Sequence, residues 1–212
     1  MCLIIRVFTI NINTMLYEFA HVIKKHCSFL WDLVEWVNAE VFALTHQLKM
    51  KEVPSILEKC SSHFTIRQTS MMDVKPLVKF FSEQPSQAYT FFNPHGFDER
   101  SVEKVIRNKA FLTYVVLDQD TIVGYFFLRS FVNGKCFKGR MVDYRWRNKG
   151  IAKQMGIAIN DIATLLGMRI FTTISPENYA SLASTKAVND IKIVKTLENG
   201  YYYIECTQKS NN

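Results

Sequence analysis

Between Leu16 and Leu48 the apolar residues fall in steps of three and four: Leu16, Phe19, Ile23, Cys27, Leu30, Val34, Val37, Val41, Leu44 and Leu48. That spacing lines one face of a helix and predicts a single long helix ending before Pro54. A second stripe, Phe29, Leu33, Trp36 and Ala43, runs beside the first, so the helix is apolar over more than one face and needs cover on two sides. Its own domain, a dimer seam or a membrane interface would each supply that cover. Glu18, Asp32, Glu35 and Glu40 speak against the membrane, which favours a lysine-rich polar face.

From Phe64 the pattern shortens. Residues 64–67 read as a strand, and Ser70 with Asp73 forms a capping box opening a helix to about Gln84, with Pro76 delaying or bending its start. An aromatic loop, residues 89–97, leads to a helix over 98–108. Three strands follow, 110–117, 122–131 and 136–142; the Asn133-Gly134 pair between the last two is a strong hairpin signal because both residues tolerate positive φ. Ile151, Met155, Ala158, Ile159, Ile162 and Leu166 restore helical spacing, with Gly167 as a stop. A buried strand over 168–174, a helix over 178–188 and a hairpin of 191–197 and 201–206 close the chain. The predicted order is β, α, α, β, β, β, α, β, α, β, β. This is a mixed α+β domain with a mostly antiparallel sheet, residues 63–212, behind a helical extension, residues 1–62.

Composition narrows the class. The chain has 212 residues, 48% of them hydrophobic, enough for one sizeable core. Five scattered cysteines with no C-x-x-C pair argue against a disulfide framework or a structural zinc site and fit a reduced, cytoplasmic setting; no metal is expected. No apolar run approaches the roughly 20 residues of a membrane span, and residues 1–12 make a poor signal peptide. Met15 would also serve as a start, which leaves the role of the residues before it open. The net charge of +7 suits a phosphorylated ligand, a nucleic acid or an anionic surface, without choosing among them.

The most informative stretch is Met141-Val142-Asp143-Tyr144-Arg145-Trp146-Arg147-Asn148-Lys149-Gly150-Ile151-Ala152. Here a strand ends, a basic turn follows and a helix begins, so free backbone N–H groups and the helix dipole make an anion site. Gly150 and Ala152 leave room for a pyrophosphate against the backbone, and Arg147 and Lys149 add charge. A solvated turn would carry the same residues.

Arg147-x-x-Gly150-x-Ala152, placed after the third meander strand, resembles the Q/R-x-x-G-x-G/A signature of the GNAT acetyltransferase superfamily. The resemblance covers roughly the last two-thirds of the chain. It implies an acetyl-CoA co-substrate, with its pyrophosphate on the backbone of Arg147, Asn148, Lys149, Gly150, Ile151 and Ala152, and its pantetheine arm paired with Met141 and Val142. It also implies acetyl transfer to a small-molecule amine. After the next strand the family shows an asparagine, a small residue three positions on and an acidic tyrosine seven positions on. Asn178 and Ser181 match as cofactor contacts, but position seven is Thr185, beside Ser184. Either one of these two hydroxyls or solvent would serve the leaving thiolate.

No glutamate stands on the strand over 136–142, which carries Lys138 and Arg140 instead. His95 is the first candidate for the base because its ordinary pKa suits the task; a packing residue in a Pro/Gly turn is the plainer reading. Asp143 is the second, with a structural role as its alternative. The helical extension, the Pro94-His95-Gly96-Phe97 loop and Ser175-Pro176-Glu177-Asn178 look similar to bacterial acetyltransferases acting on amino sugars of surface polysaccharides. A non-catalytic acyl-CoA sensor is the competing reading. Nucleic acid is not expected, since no basic cluster is interleaved with Phe91, Phe92 and Phe97. A homodimer through the long helix would account for its second face.

Overall fold

The computed structural model describes residues 28–209. Helix α1, Ser28–Met50, is the described part of the predicted long helix; its predicted residues 16–27, and the segment before them, lie outside the described residues. The chain groups into two units, one ending at Asn38 and one running from Ala39 to Asn212. In the first, Leu30, Leu33, Val34, Trp36 and Val37 of α1 are exposed. In the second, Ala39 and Phe42 are buried in the core, whereas Val41, Leu44 and Leu48 of the predicted stripe face outward. The period was legible, but packing chooses the face that carries Phe42. No helix among the described residues is long and apolar enough to cross a membrane.

The long helix ends at Met50, before Pro54, and Pro54 belongs to a further element that the apolar spacing did not separate. It occupies the first turn of a second helix, α2, Val53–Cys60, where the missing proline N–H would have no intrahelical partner anyway. Val53 and Leu57 anchor α2 in the core. Strand β1, Thr65–Gln68, follows, and the capping box of Ser70 and Asp73 is present. It opens one 3₁₀ turn, Met71–Asp73, before helix α3, Val74–Ser82, begins, so Pro76 again falls in a first turn. Asp98 caps helix α4, Glu99–Arg107, by accepting from the Ser101 N–H.

The meander consists of β2, Phe111–Asp118, β3, Thr121–Ser130, and β4, Lys135–Val142. Helix α5, Ile151–Leu166, β5, Arg169–Ile174, helix α6, Tyr179–Lys186, β6, Asn189–Thr196, and β7, Tyr202–Gln208, complete the chain. The seven strands form one sheet in the order β1-β2-β3-β4-β5-β7-β6. Every pairing is antiparallel except β4 with β5. One face carries a core shared with α2 and α5, built around Phe42, Tyr114, Phe126, Met155, Ile159 and Ile204. The other carries α3 and α4 over Phe81, Val115, Tyr125, Phe127 and Met141.

The parallel pair fixes the site. β4 and β5 are in register only at Lys135↔Arg169, Cys136↔Ile170 and Phe137↔Phe171. Beyond Phe137 the two strands part, with the Thr172 hydroxyl donating to the Lys138 carbonyl at 3.3 Å just past the last pair. The far half of β4 is therefore a strand edge inside the sheet.

Candidate active site

The edge of β4 leads directly into the turn read from the sequence. After Val142, Asp143 caps a 3₁₀ turn, Tyr144–Trp146, and the chain enters α5 through two left-handed residues, Asn148 at φ 64° and Gly150 at φ 80°. No side chain caps α5. The Lys153 and Gln154 N–H groups both reach the Gly150 carbonyl at 3.0 Å, while the N–H groups of the first helical residues, Ile151 and Ala152, point along the axis without an intrahelical acceptor. Arg147, Asn148, Lys149 and Gly150 are exposed around this end, and Ile151 is buried in the core so that only its backbone faces the turn. Lys149 Nζ sits 4.0 Å from the centre of the Trp146 ring. A Cβ at Gly150 would meet nothing within 4 Å; positive φ, not crowding within the chain, is what calls for glycine here.

A buried network sets the angle of the turn. Asp143 is fully buried, and its Oδ1 accepts from the Arg145 N–H at 2.8 Å and Nε at 2.9 Å. Its Oδ2 accepts from Arg145 Nη2 at 2.7 Å and Gln84 Nε2 at 3.2 Å. Gln84 closes the ring by accepting the Tyr144 N–H at 3.1 Å. Burial pushes the Asp143 carboxyl up, but the donors from Arg145 and Gln84 outweigh it and hold the group below the usual carboxylate range. Four donors on one carboxylate make an anchor; each would have to yield before that carboxylate took a proton from a substrate.

On the α5 face of the free half of β4, the part-buried Arg140 spans two helices. Its Nη1 donates to the Ala152 carbonyl at 2.8 Å, and its Nη2 to Ser184 Oγ at 3.0 Å and Thr185 Oγ1 at 3.2 Å. Gly156 makes room for it, since a Cβ there would stand 2.7 Å from Arg140 Nη1. The two candidate hydroxyls thus converge on one cation. Ser184 donates in turn to the Ser181 carbonyl at 3.1 Å, and the Asn178 side chain caps α6 by accepting the Ser181 N–H at 3.1 Å. Asn178 and Ser181 accordingly shape the start of α6 beside the parted strands.

His95 lies on the opposite face, among Phe81, Phe97, Phe111 and Tyr125. Nδ1 is 2.7 Å from the Gly96 carbonyl and Nε2 is 2.9 Å from the Tyr125 hydroxyl. A carbonyl only accepts, so Nδ1 carries the proton, and Nε2 accepts from Tyr125. Burial lowers the His95 pKa and prevails over the Gly96 bond, which favours the charged form. The imidazole is therefore neutral at pH 7, with its basic nitrogen engaged by Tyr125. Met141, paired with Tyr125 across β3 and β4, packs in the same core cluster as Phe81 and Tyr125.

On the other side of the α5 N-terminus a groove of about 260 Å³ is lined by residues including His63, Phe64, Lys149, Gly150, Lys153 and Gln154. Gln154 holds its wall by donating to the Cys60 carbonyl at 2.7 Å and the Phe64 carbonyl at 3.3 Å. The roles of Gln84, Arg140 and Gly156 lay beyond the sequence reading. Strand alternation does place Cys136, Lys138 and Arg140 on one face, and two cations alternating on a strand beside an apolar helix were the available signal.

No family model and no curated relative matches the sequence. Solved structures do match its fold. The GNAT domain of a Streptomyces lividans protein, PAT, superposes with a TM-score of 0.57 at 15% identity, covering 66% of this chain and 88% of its own. The ribosomal-protein-S5-alanine acetyltransferase from Vibrio fischeri gives 0.56 at 15%, covering 71% and 96%. The aminoglycoside acetyltransferase AAC(6')-Ib, in complex with coenzyme A and kanamycin, gives 0.55 at 13%, covering 69% and 95%. With its mostly antiparallel sheet, single parallel junction and flanking helices, the chain has the fold of the GNAT acetyltransferases.

Proposed function

We propose that the protein is an N-acetyltransferase that takes an acetyl group from acetyl-CoA to a primary amine. The observation that carries this reading is the continuity of the free β4 edge with the left-handed Asn148–Gly150 turn and the uncapped α5. An extended amide-bearing arm fits the first, and a pyrophosphate fits the second, where N–H groups of Gly150, Ile151 and Ala152 converge beside Arg147, Lys149 and Lys153. The groove beside His63 and Phe64 would take the nucleotide end.

In this reading Met141 and Val142 present backbone groups to the pantetheine arm, and a β4 amide polarises the thioester carbonyl. Bound acetyl-CoA supplies an activated acyl group. The acceptor enters from the face of His95, whose neutral ring takes the amine proton at Nε2 once Tyr125 yields that position. Asp143 holds the turn in place. We favour an amino sugar as acceptor, on the resemblance of the Pro94-His95-Gly96-Phe97 and Ser175-Pro176-Glu177-Asn178 segments. The outward face of α1 at Val41, Leu44 and Leu48 supports a homodimer. A non-catalytic acyl-CoA sensor is favoured by the engagement of both His95 ring nitrogens.

The test is calorimetric titration of acetyl-CoA into the wild type and Gly150→Glu, with circular dichroism on both. Binding lost only in the variant supports the site, and CoA release on adding amines, amino sugars first, separates enzyme from sensor. A folded wild type that binds no acyl-CoA would sink the reading.

A further inference from the structure

The free half of β4 carries two basic side chains, Lys138 and Arg140, with no carboxylate partner among the described residues. Lys138 is 7% exposed, and its Nζ meets no oxygen or nitrogen acceptor, with only the Cys206 thiol as a weak partner. Two residues on, Arg140 touches only neutral acceptors, the Ala152 carbonyl and the Ser184 and Thr185 hydroxyls. The other groups facing them are the thiols of Cys136 on β4 and Cys206 on β7, which feel the Lys138 charge, and Thr172 on β5. Among the described residues no carboxylate pairs with either cation. Burial lowers the pKa of both, Arg140 to about 10, so the guanidinium remains charged at neutral pH.

A buried charge without a partner costs stability, and two like charges side by side cost more. The chain even gives up a side chain at Gly156 to seat the Arg140 guanidinium. Such an arrangement stabilises an anion that arrives from outside or is created in place. The free edge of β4, the first turn of α5 and the last turn of α6 meet here, where the acyl-carrying end of an arm laid along β4 would lie.

We propose that Arg140, backed by Lys138 and hydrogen-bonded through Thr185 and Ser184, receives the negative charge that develops on the thioester sulfur. The inference rests on the acetyl-CoA reading above. As the acceptor nitrogen forms its bond to the acyl carbon, the C–S bond breaks and its electron pair stays on sulfur. The proton shed by the nitrogen goes to the base on the His95 face. Arg140 keeps its own protons, and the sulfur leaves as a thiolate that water protonates after release. Charge stabilisation thereby takes the place of a proton donor.

The test reads an equilibrium property and needs no acceptor. CoA bound to the protein is titrated with base while the thiolate absorbance is followed in the ultraviolet, for the wild type, Arg140→Met and Thr185→Val. A cation a few ångströms away lowers an acidic group by about one to three units, so the wild-type complex is expected to ionise that far below free CoA. Arg140→Met should return it most of the way while CoA still binds, and Thr185→Val should return it in part. As a second readout, the affinity ratio of CoA to desulfo-CoA should rise with pH in the wild type and stay flat in Arg140→Met. Bound CoA that ionises like free CoA in the wild type overturns the inference without any variant, and leaves the cofactor site standing. Failure of CoA to bind overturns both.

Discussion

Gln84 and Asp143, 59 residues apart in sequence, meet at 3.2 Å, with the Gln84 amide donating to the carboxylate and its carbonyl taking the Tyr144 N–H. One side chain thus ties the end of α3 to the entrance of the α5 turn. Gln84→Leu leaves the Tyr144 N–H and one carboxylate oxygen short of a partner, which costs about 1–3 kcal/mol. Urea denaturation should show that loss, and acetyl-CoA affinity should fall with it.

Asp143 also makes stability depend on acid. Its folded pKa lies below its unfolded value, so its contribution is fully present above the unfolded pKa, about 3.9. It is lost as pH falls through the lower folded value. Asp143→Asn should flatten the acid limb of the stability curve below about pH 4; an unchanged limb would show that other carboxylates govern it.

His95 acts in a higher window with the same sign. Burial depresses its folded pKa, so the neutral ring stabilises the fold above the unfolded value of about 6.5. That contribution fades as pH drops through the folded value. Proton NMR should find the His95 titration below 6.5, and Tyr125→Phe, which removes a donor to the neutral ring, should move it back up. If His95 is the base, His95→Gln removes the matching limb of the kcat/KM profile while acetyl-CoA affinity holds.

Gly156→Ala tests the seat of Arg140. The added methyl would stand 2.7 Å from both Arg140 Nη1 and Val188 Cγ2. Overpacking of this kind costs about 1–3 kcal/mol, measurable as a shift in the urea midpoint. The chemical consequence should follow that of Arg140→Met in direction, because the guanidinium must move.

Charging Leu44 and Leu48 together, as Leu44→Lys with Leu48→Lys, should leave stability within about 0.5 kcal/mol, since both side chains are exposed. Light scattering should show a dimer in the wild type and a monomer in the double variant. A monomer in both would remove the dimer from the proposal.

The element order was legible because alternation and helical spacing are strong between Phe64 and Cys206, and strand bounds differ from expectation by at most two residues. Helix α2 was hidden because Pro54 reads equally as a stop and as a first turn. The face of α1 was hidden because Phe42 is chosen by the core it meets, which the local period does not encode. The basic turn before α5 could be read from residue types and order, whereas its left-handed backbone at Asn148 and Gly150 could not. Arg140 could not, since its partners Ser184 and Thr185 lie 44 and 45 residues away and a lone arginine on a strand usually points to water.

Among the described residues three register pairs join the leaf of β1 through β4 to the leaf of β5, β7 and β6, flanked by the Arg169 N–H to Gly134 carbonyl and Thr172 hydroxyl to Lys138 carbonyl bonds. In mechanical terms the sheet has a seam, with few rungs to resist shear between its two leaves. An extended molecule bearing amides and laid along residues 138–142 would act as a splint, linking both leaves through main-chain bonds. Loading would then register as stiffness in β5 and β7, outside the Asn148–Gly150 turn, and amide exchange there would slow as the seam is bridged. The backbone would report occupancy even when no reaction follows.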